Sequence, residues 1–277
     1  MQRTWFITGA SAGLGRLMTE KLLERGDRVV GTLRRAGALN DLVERYGDHL
    51  RIVTLDVTDT AAVRATIEGA FRAMGRIDVI VSNAGYGLFG AAEEVSDAQI
   101  DRQIATNLTG SIQVIRASLP HLRDQGGGRI MQVSSEGGQI AYPNFSVYHA
   151  TKWGIEGFVE AVAQEVTPFG IDFILVEPGP TATSFASTMD DAVPMQIYDD
   201  TPAGAVRRGV FDGSFAIKGD AAKCADAMIA AADAERPALR LALGSTAYAS
   251  ITTALADRLQ KIEQQREVAM SADRSGD

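Results

Sequence analysis

Near its N-terminus the chain reads TWFITGASAGLG over residues 4–15, and this stretch decides the fold class. An apolar run from Thr4 to Thr8 has the length of a strand. A glycine-rich turn follows it, and a helical pattern then runs from Gly15 to Arg25 and stops at Gly26. A strand, a glycine turn and a helix in this order are typical of the first βαβ unit of an α/β protein. We therefore expect a parallel sheet that begins here.

The same alternation of apolar runs and helical patterns continues along the chain. The predicted strands are Thr4 to Thr8, Arg28 to Leu33, Arg51 to Leu55, Val79 to Ser82, Arg129 to Ser134, Phe173 to Glu177 and Leu239 to Leu243. The predicted helices are Gly15 to Arg25, Thr60 to Met74, Asp97 to Leu122, Val147 to Val166, Ala221 to Ala232 and Ser245 to Glu267. This pattern predicts an α/β fold, a doubly wound, Rossmann-like parallel sheet of about seven strands with helices on both faces.

One segment interrupts the alternation. Between Pro178 and Gly219 no clear βα unit can be recognised, yet apolar residues such as Phe185 and Met189 recur there among Asp and Ser. A connection of this length in a compact domain is usually functional or disordered, and its apolar residues favour a lid. We predict one catalytic domain over residues 1–270, including a substrate lid at about 180–218, and a flexible tail at 271–277.

Composition and charge argue against several classes of function. Cys224 is the only cysteine, so the chain can form neither an internal disulfide nor a thiolate metal site. The histidines at 49, 121 and 149 lack ligand spacing, and we expect no bound metal. A net charge of −8 opposes binding to nucleic acid. We recognise neither a signal peptide nor the ~18 to 20 apolar residues of a membrane span, and therefore expect a cytoplasmic protein without membrane contact.

The glycine turn is a candidate phosphate site. Glycines permit positive φ and let phosphate groups approach the backbone, while the amides at the start of the following helix face those groups. A glycine cluster alone indicates little, but here a strand precedes it and a helix follows. We predict that the turn binds the pyrophosphate of a dinucleotide through Gly9, Ser11, Gly13, Leu14 and Gly15.

The end of the second predicted strand indicates which dinucleotide is bound. NAD-binding proteins carry an acidic residue there, roughly twenty residues after the glycine turn. This chain has Arg34 and Arg35 instead, and a guanidinium can pair with a 2′-phosphate. We therefore expect NADP(H) to be favoured over NAD(H). The alternative is that both arginines are solvated loop residues.

Tyr148 and Lys152 are candidate proton-transfer residues. They stand four residues apart on a predicted helix, so their side chains share one face. A neighbouring ammonium favours the ionised phenol and can lower its pKa from about 10 toward neutrality. Ser135 follows a predicted strand at the sheet edge where such folds bind ligands. A Tyr and Lys at this spacing are usually an exposed pair, but Ser135 and the glycine turn favour catalysis.

With Asn83-Ala84-Gly85 and Pro178-Gly179, these motifs resemble those of the short-chain dehydrogenase/reductase family, in its short single-domain branch. The resemblance runs from about Thr4 to Thr183. It implies an oxidoreductase that interconverts a carbonyl and a secondary alcohol of a small molecule, with NAD(P)(H) as the hydride carrier. Members of the family are commonly dimers or tetramers, so the resemblance also implies a homodimer or homotetramer.

The resemblance implies a role for each motif residue. Tyr148 would be the general acid in reduction and the base in oxidation, and Ser135 would donate a hydrogen bond to the substrate oxygen. Lys152 would lower the pKa of Tyr148 and hold the nicotinamide ribose, and Asn107 would position water behind Lys152. The other implied cofactor contacts are Asp56 and Val57 beside the adenine, Asn83, Ala84 and Gly85 at the cleft, and Pro178, Gly179, Thr181 and Thr183 at the nicotinamide.

Two positions depart from common family patterns. Ala12 stands where many NADP-preferring members have a basic residue, which leaves Arg34 and Arg35 as the only cationic signal for the 2′-phosphate. Glu136 directly follows Ser135, where its carboxylate could face the pocket or water. We interpret it as a surface residue, because an unpaired buried carboxylate is costly.

Two other functions compete with an oxidoreductase. A cofactor-sensing regulatory protein on the same scaffold would be expected to have a degraded catalytic set, whereas all the catalytic positions are intact. An epimerase or lyase that uses the nicotinamide transiently usually needs a larger substrate domain. The apolar residues Ile140, Tyr142 and Phe145 suggest a hydrophobic substrate, and equally well packing between subunits or onto the core.

Overall fold

A computed structural model of the protein describes residues 2–214 and 216–274. Met1, Phe215 and residues 275–277 lie outside the described residues, so the predicted domain, lid and tail are compared with the structure without them. In chain order the elements are β1 (Thr4–Ile7), α1 (Gly13–Glu24), β2 (Arg28–Leu33), α2 (Asn40–Tyr46), β3 (Leu50–Thr54), α3 (Thr60–Met74), β4 (Val79–Ser82), β5 (Leu88–Phe89), α4 (Asp97–Ile104), α5 (Ser111–Asp124), β6 (Gly128–Val133), α6 (Ser146–Val166), β7 (Ile171–Pro178), β8 (Asp190–Asp191), α7 (Pro202–Phe211), α8 (Ala221–Asp233), β9 (Arg240–Leu243), α9 (Ser245–Glu263) and α10 (Arg266–Ser271).

Seven of the strands form one parallel sheet in the order β3-β2-β1-β4-β6-β7-β9. This confirms the predicted α/β fold with a doubly wound sheet. Each predicted strand lies within about two residues of the observed one, a difference that is ordinary for element ends. The prediction succeeded because strands buried on both faces are continuous apolar runs.

Both faces of the sheet are covered by helices. Side chains alternate across β1, so that Trp5 and Ile7 enter one core and Phe6 enters the other. The first core is completed by α1, α2 and α8, and the second by α3, α5 and α6. Trp5, Phe6 and Ile7 are fully buried, as a central strand of such a sheet requires.

Several local features differ from the sequence-based expectations. The short helix α2 was not predicted, because Leu42 is its only buried residue and gives no periodic pattern. The predicted helix Asp97 to Leu122 contains a wider π-helical turn at Ala105–Gly110, between α4 and α5. The segment predicted as a structureless lid contains β8, which pairs with β5, and the helix α7. The last predicted helix ends at Glu263, and α10 extends into the predicted tail.

The order of the strands reverses beside β1. The chain moves outward from β1 to β2 and β3, and it then returns to place β4 on the other side of β1. Open α/β sheets bind ligands outside the carboxyl ends of the strands at such a switch point. Among the described residues, no helix combines the length and the apolar character needed to cross a membrane.

Candidate active site

A cleft of about 1280 Å³ opens along the carboxyl ends of β1, β2, β3, β4, β6 and β7. It brings together most of the residues predicted from the sequence. Those that line it are Gly9, Ser11, Gly13, Leu14, Arg34, Asp56, Val57, Asn83, Ala84, Gly85, Ser135, Tyr148, Lys152, Pro178, Gly179, Thr181 and Thr183. Gly15, Arg35 and Asn107 do not line the cleft, and their positions are described below.

The glycine turn connects β1 to α1 with two residues in the left-handed region, Gly9 at φ +67° and Gly13 at φ +55°. Asn83 holds the turn from the neighbouring strand end, because its Nδ2 donates to the carbonyls of Thr8 at 2.9 Å and Gly9 at 3.2 Å. Gly15 lies under the turn: a Cβ on this residue would be 2.4 Å from the Gly9 oxygen. Gly15 therefore acts through close packing of α1 against the turn.

The start of α1 fits a pyrophosphate group. Ala12 occupies the N-cap position, and its side chain cannot accept a hydrogen bond from the first amides of the helix. The first turn of the helix carries no acidic residue. Open amides, the positive end of the helix dipole and the absence of Cβ atoms at Gly9 and Gly13 together suit an anionic ligand.

Arg34 and Arg35, at the end of β2, have different positions. Both side chains are exposed, but Arg34 lines the cleft and Arg35 lies outside the cleft lining. The cofactor contact through Arg35 stays a prediction. Asp56 lies near Arg34, and hydrogen bonds from Thr58, with a smaller effect of Arg34, lower the pKa of the Asp56 carboxyl.

Tyr148 and Ser135 meet at the wall of the cleft. Tyr148 is buried on α6, where its ring lies 6.0 Å from the ring of Phe145 and 5.8 Å from the ring of Phe185. Ser135 begins a 3₁₀ turn after β6, and its Oγ accepts a hydrogen bond from Gly137 N at 3.1 Å. The Ser135 hydroxyl also lies near enough to the Tyr148 phenol to lower the pKa of that phenol.

The pKa of Tyr148 differs from the sequence-based expectation. Burial is the largest cause and raises it to about 12, while the nearby Ser135 hydroxyl acts to lower it and the Glu136 carboxylate acts to raise it. The predicted lowering by Lys152 is not found in this structure, although Lys152 Nζ lies 5.5 Å from the centre of the Tyr148 ring. The physical reason is desolvation, which disfavours the charged form of each group. The same effect lowers the pKa of Lys152 to about 8, against an opposing contribution from Glu156.

Asn107 lies behind the cleft in the π-helical turn Ala105–Gly110 and is buried. Its side-chain amide forms two hydrogen bonds with the backbone of Tyr86: Oδ1 accepts from Tyr86 N at 3.1 Å, and Nδ2 donates to Tyr86 O at 2.8 Å. A Cβ on Gly85 would be 3.1 Å from Asn107 Oδ1. Asn107 thus fixes the strand-end motif that lines the cleft. Short π-helical turns are often found at functional sites.

Glu136 is buried, with an exposed fraction of 3%. The interpretation of Glu136 as a surface residue is therefore wrong. Its Oε2 accepts a hydrogen bond from Ser250 Oγ on α9 at 2.7 Å, and burial raises its pKa. The sequence-based interpretation assumed that a buried Glu136 would have no partner. Ser250 supplies one, and the hydrogen bond offsets part of the cost of burial. Glu136 also lines the cleft, next to Ser135.

The segment predicted as a lid covers the cleft on the Tyr148 side. Its Phe185 contacts Tyr148, and β8 pairs in parallel with β5. Glu94 anchors the segment with both carboxylate oxygens, because Arg207 Nη2 donates to each at 2.5 Å and Met195 N donates to one at 2.7 Å. The Glu94 side chain is fully buried in this contact.

Tyr86, Arg102 and Asp190 are among the cleft residues that the sequence did not single out. Tyr86 directly follows the motif Asn83-Ala84-Gly85, so extending that motif by one residue would have found it. Arg102 Nη2 donates to Asp190 Oδ2 at 2.9 Å and links α4 to β8. These two residues are 88 positions apart, and no sequence pattern pairs them.

Comparison with known proteins decides the family. Residues 3–193 match the family described as short chain dehydrogenase. The chain belongs to this family. Among its relatives, oxidoreductase BOA17 of Botryotinia fuckeliana is 37% identical over 249 residues, which is 89% of this chain and 90% of the relative. The 3-ketodihydrosphingosine reductase of Bacteroides thetaiotaomicron is 38% identical over 179 residues, or 65% of this chain and 64% of the relative.

A solved structure supports the same family assignment. A short-chain dehydrogenase from Streptomyces avermitilis superimposes with a TM-score of 0.90, is 35% identical and covers 98% of each chain. As a short chain dehydrogenase, the protein is an oxidoreductase that uses a nicotinamide cofactor and interconverts carbonyl and alcohol groups, which confirms the predicted class of enzyme. The regulatory and epimerase alternatives are not favoured.

Proposed function

We propose that this short chain dehydrogenase reduces the carbonyl group of a hydrophobic small molecule, or oxidises the corresponding secondary alcohol, with NADP(H) as its hydride carrier. One observation carries the proposal: Ser135 and Tyr148 line the same cleft as the glycine turn and the start of α1. Two hydroxyl groups and a phosphate site thus come from different elements and share one cavity. This arrangement suits the transfer of a hydride and a proton to one carbonyl group.

Tyr148 is the proposed proton donor in the direction of reduction. Because burial raises its pKa to about 12, the phenol keeps its proton at neutral pH and can donate it to a developing alkoxide. Ser135 donates a second hydrogen bond to the same oxygen. In the direction of oxidation the ionised phenol accepts the proton of the alcohol. The nicotinamide, when bound, supplies or accepts the hydride.

Lys152 is proposed to favour the ionised form of Tyr148 as the proton leaves and to hold the ribose hydroxyls of the cofactor. With a pKa of about 8, its ammonium is largely charged at neutral pH. Its Nζ lies 5.5 Å from the centre of the Tyr148 ring, and both side chains are buried. Asn107 is proposed to support the pair from behind and to position water there.

NADP(H) is proposed over NAD(H) because of Arg34. This residue lines the cleft at the end of β2, where NAD-binding proteins carry an acidic residue. A guanidinium at this point can form charge-assisted hydrogen bonds with a 2′-phosphate. Asp56, the neighbouring carboxylate, also lines the cleft, and its Oδ1 accepts hydrogen bonds of 2.8 and 2.9 Å from Thr58.

A hydrophobic substrate is proposed because apolar side chains surround Tyr148. The wall of the cleft near Tyr148 contains Tyr142, Phe145, Phe185, Met189 and Val210. These residues come from the turn before α6, from the segment predicted as a lid and from α7, so they form a wall on more than one side. A relative whose name describes reduction of 3-ketodihydrosphingosine supports a ketone as the reacting group.

The test is a fluorescence titration with NADPH and, separately, with NADH, on the wild type and on two variants. We expect NADPH to bind more tightly than NADH. The variant Arg34→Ala should lose about tenfold to a hundredfold in NADPH affinity, as expected when a charge-assisted interaction of about 1.5–3 kcal/mol is removed, and its NADH affinity should change little. Arg35→Ala is the matched control, because it removes the same charge outside the cleft. Equal affinities for the two cofactors, or equal losses in both variants, would contradict the assignment of NADP(H).

The remaining expectations stay predictions. They are the catalytic domain at 1–270, a homodimer or homotetramer, and a cytoplasmic location. Size-exclusion chromatography with light scattering measures the oligomeric state directly.

A further inference from the structure

Three buried side chains occupy one face of α6. Tyr148, Lys152 and Glu156 follow one another at four-residue spacing, so they lie in a row along the helix. Their exposed fractions are 7%, 7% and 3%. The proposed function uses Tyr148 and Lys152, whereas Glu156 takes no part in it. A carboxylate that is buried this completely needs hydrogen-bond or ionic partners that offset the loss of its hydration.

Glu156 is fixed by hydrogen bonds to both oxygens. Oε1 accepts from Ser134 Oγ at 2.5 Å, and Oε2 accepts from Arg240 Nη1 at 2.6 Å. Ser134 follows Val133, whose carbonyl accepts from Lys152 Nζ at 3.0 Å. Adjacent residues at the end of β6 therefore hold Glu156 and Lys152.

The backbone leaves room for this carboxylate. A Cβ on Gly138 would be only 1.7 Å from Glu156 Oε1, which is far closer than any real contact. A glycine at position 138 is thus what allows Glu156 to reach Ser134. Gly138 belongs to the 3₁₀ turn that Ser135 begins.

The carboxylates around Arg240 outnumber its single positive charge. Arg240 pairs with Glu156, with Glu177 and, at 2.7 Å, with Glu160. The side chains of Glu156 and Glu177 are 3% and 1% exposed, whereas that of Glu160 is 49% exposed. One guanidinium therefore faces two buried carboxylates and a third at the surface. The next cation along this face of α6 is Lys152.

The polar and charged groups around this part of α6 come from several elements. Tyr148 and Glu156 lie on its own helix, Glu136 lies on the turn after β6, and Asn107 on the π-helical turn is uncharged. Glu177 on β7 and Arg240 on β9 act through Glu156. Burial lowers the pKa of Lys152, and Glu156 is the group that opposes this effect.

We propose that Glu156 is the buried counterion of Lys152, a positioning residue that is fixed by Ser134 and Arg240 and keeps the ammonium charged over the working pH range. The inference rests on the proposed role of Lys152. Glu156 does not line the cleft. It acts through Lys152, whose ammonium donates to the Val133 carbonyl and whose charge the Glu156 carboxylate offsets from one helical turn away.

The test measures the titration of Lys152 directly. The chain has five lysines, so protein labelled with ¹³C and ¹⁵N in lysine gives few side-chain signals, and Lys152→Arg identifies the one of interest. The titration uses the protein without added nucleotide. We expect the Lys152 midpoint to fall by about one to two pH units in Glu156→Gln, as estimated for a charge one helical turn away in a buried site. Glu156→Asp, which keeps the charge, should restore part of the shift.

Glu160→Gln is the matched control. It removes another carboxylate partner of Arg240, one helical turn further from Lys152, and should move the midpoint by less than about 0.3 units. In Arg240→Gln we expect the Lys152 midpoint to rise, because the positive charge that partly offsets the Glu156 carboxylate is lost. This variant keeps the test decisive if Glu156→Gln does not fold. An unchanged midpoint in Glu156→Gln, a downward shift in Arg240→Gln, or equal shifts in Glu156→Gln and Glu160→Gln would overturn the proposal.

A second measurement follows the enzyme during turnover. The alkaline limb of the kcat profile should move to lower pH in Glu156→Gln, whereas a purely structural defect would lower kcat equally at every pH. The two proposals fail differently. Full activity in Tyr148→Phe would refute the proposed function whatever the titration shows, and an unmoved Lys152 midpoint would refute only the role of Glu156.

Discussion

Replacement of Gly15 by alanine is predicted to weaken cofactor binding strongly while leaving most of the fold in place. The added Cβ would lie 2.4 Å from the Gly9 carbonyl oxygen and 2.6 Å from Asn83 Nδ2. Ordinary contacts begin at 3.4 Å, so the start of α1 must move about 1.0 Å away from the turn. Neither neighbour can yield easily, because Gly9 is held in the turn and Asn83 Nδ2 donates to the carbonyls of Thr8 and Gly9.

The free-energy cost of this displacement can be estimated. If the Asn83 hydrogen bonds break, each unsatisfied buried group costs about 1–3 kcal/mol, and overpacking adds a similar amount. We expect the free energy of unfolding to fall by about 2–4 kcal/mol. The amides of α1 would also lose their alignment with the glycine turn, so the affinity for NADPH should fall more than tenfold.

Two assays on the same protein separate these effects. Urea denaturation gives the free energy of unfolding, and fluorescence titration gives the NADPH affinity. Gly69→Ala is the matched control, because a Cβ at Gly69 on α3 meets nothing within 4 Å. This control should bind NADPH as the wild type does and gain up to about 1 kcal/mol in stability. Binding of NADPH by Gly15→Ala within twofold of the wild type would refute the close-packing explanation of this glycine.

Two further predictions concern the lid segment and pH. Glu94→Gln leaves Arg207 without its buried partner, which typically costs about 3–5 kcal/mol, so proteolysis within residues 195–211 should accelerate at least tenfold. Glu44→Gln, which changes an exposed carboxylate on α2, is the control, and equal cleavage of both variants would argue against the anchor. His149 is held neutral, since its Nε2 accepts from Tyr142 N and burial lowers its pKa. Because its pKa lies below the unfolded value of about 6.5, the unfolded state takes up the proton first as pH falls, and the stability contributed by His149 declines below that pH. The urea midpoint should therefore drop more between pH 7 and pH 5 in the wild type than in His149→Gln, and parallel profiles would show that this histidine does not control the drop.

The sheet could be predicted because its physical signal is local. Strands such as Arg28–Leu33 are buried along nearly their whole length and stand out as apolar runs between turn residues. The helix α2 and the strands β5 and β8 gave no such signal, since two to seven residues are too few to establish a period. The π-helical turn Ala105–Gly110 was not predicted either, because helix continues on both sides of it without a break.

The residues that meet in the cleft were easier to predict than their burial and their pKa values. Ser135 and Asn83 could be named because they follow strand ends, but burial could not be judged from the sequence. Glu136 was misplaced because its partner Ser250 stands 114 residues away. The pKa of Tyr148 was expected to fall, since the spacing reveals the Lys152 cation but not the desolvation that raises the pKa to about 12. Of the two arginines after β2, Arg34 lines the cleft and Arg35 does not, which their adjacent positions in the sequence do not reveal.

The most direct test of the account is a hydride-transfer measurement. The protein is incubated with NADPH deuterated at C4 and a set of hydrophobic ketones and aldehydes, and mass spectrometry follows deuterium in the alcohol product. We predict that the wild type and the control Tyr142→Phe transfer deuterium. Tyr148→Phe should lose at least about a hundredfold in rate while its NADPH affinity stays within twofold of the wild type. Transfer by Tyr148→Phe at the wild-type rate would contradict the proposed role of this tyrosine.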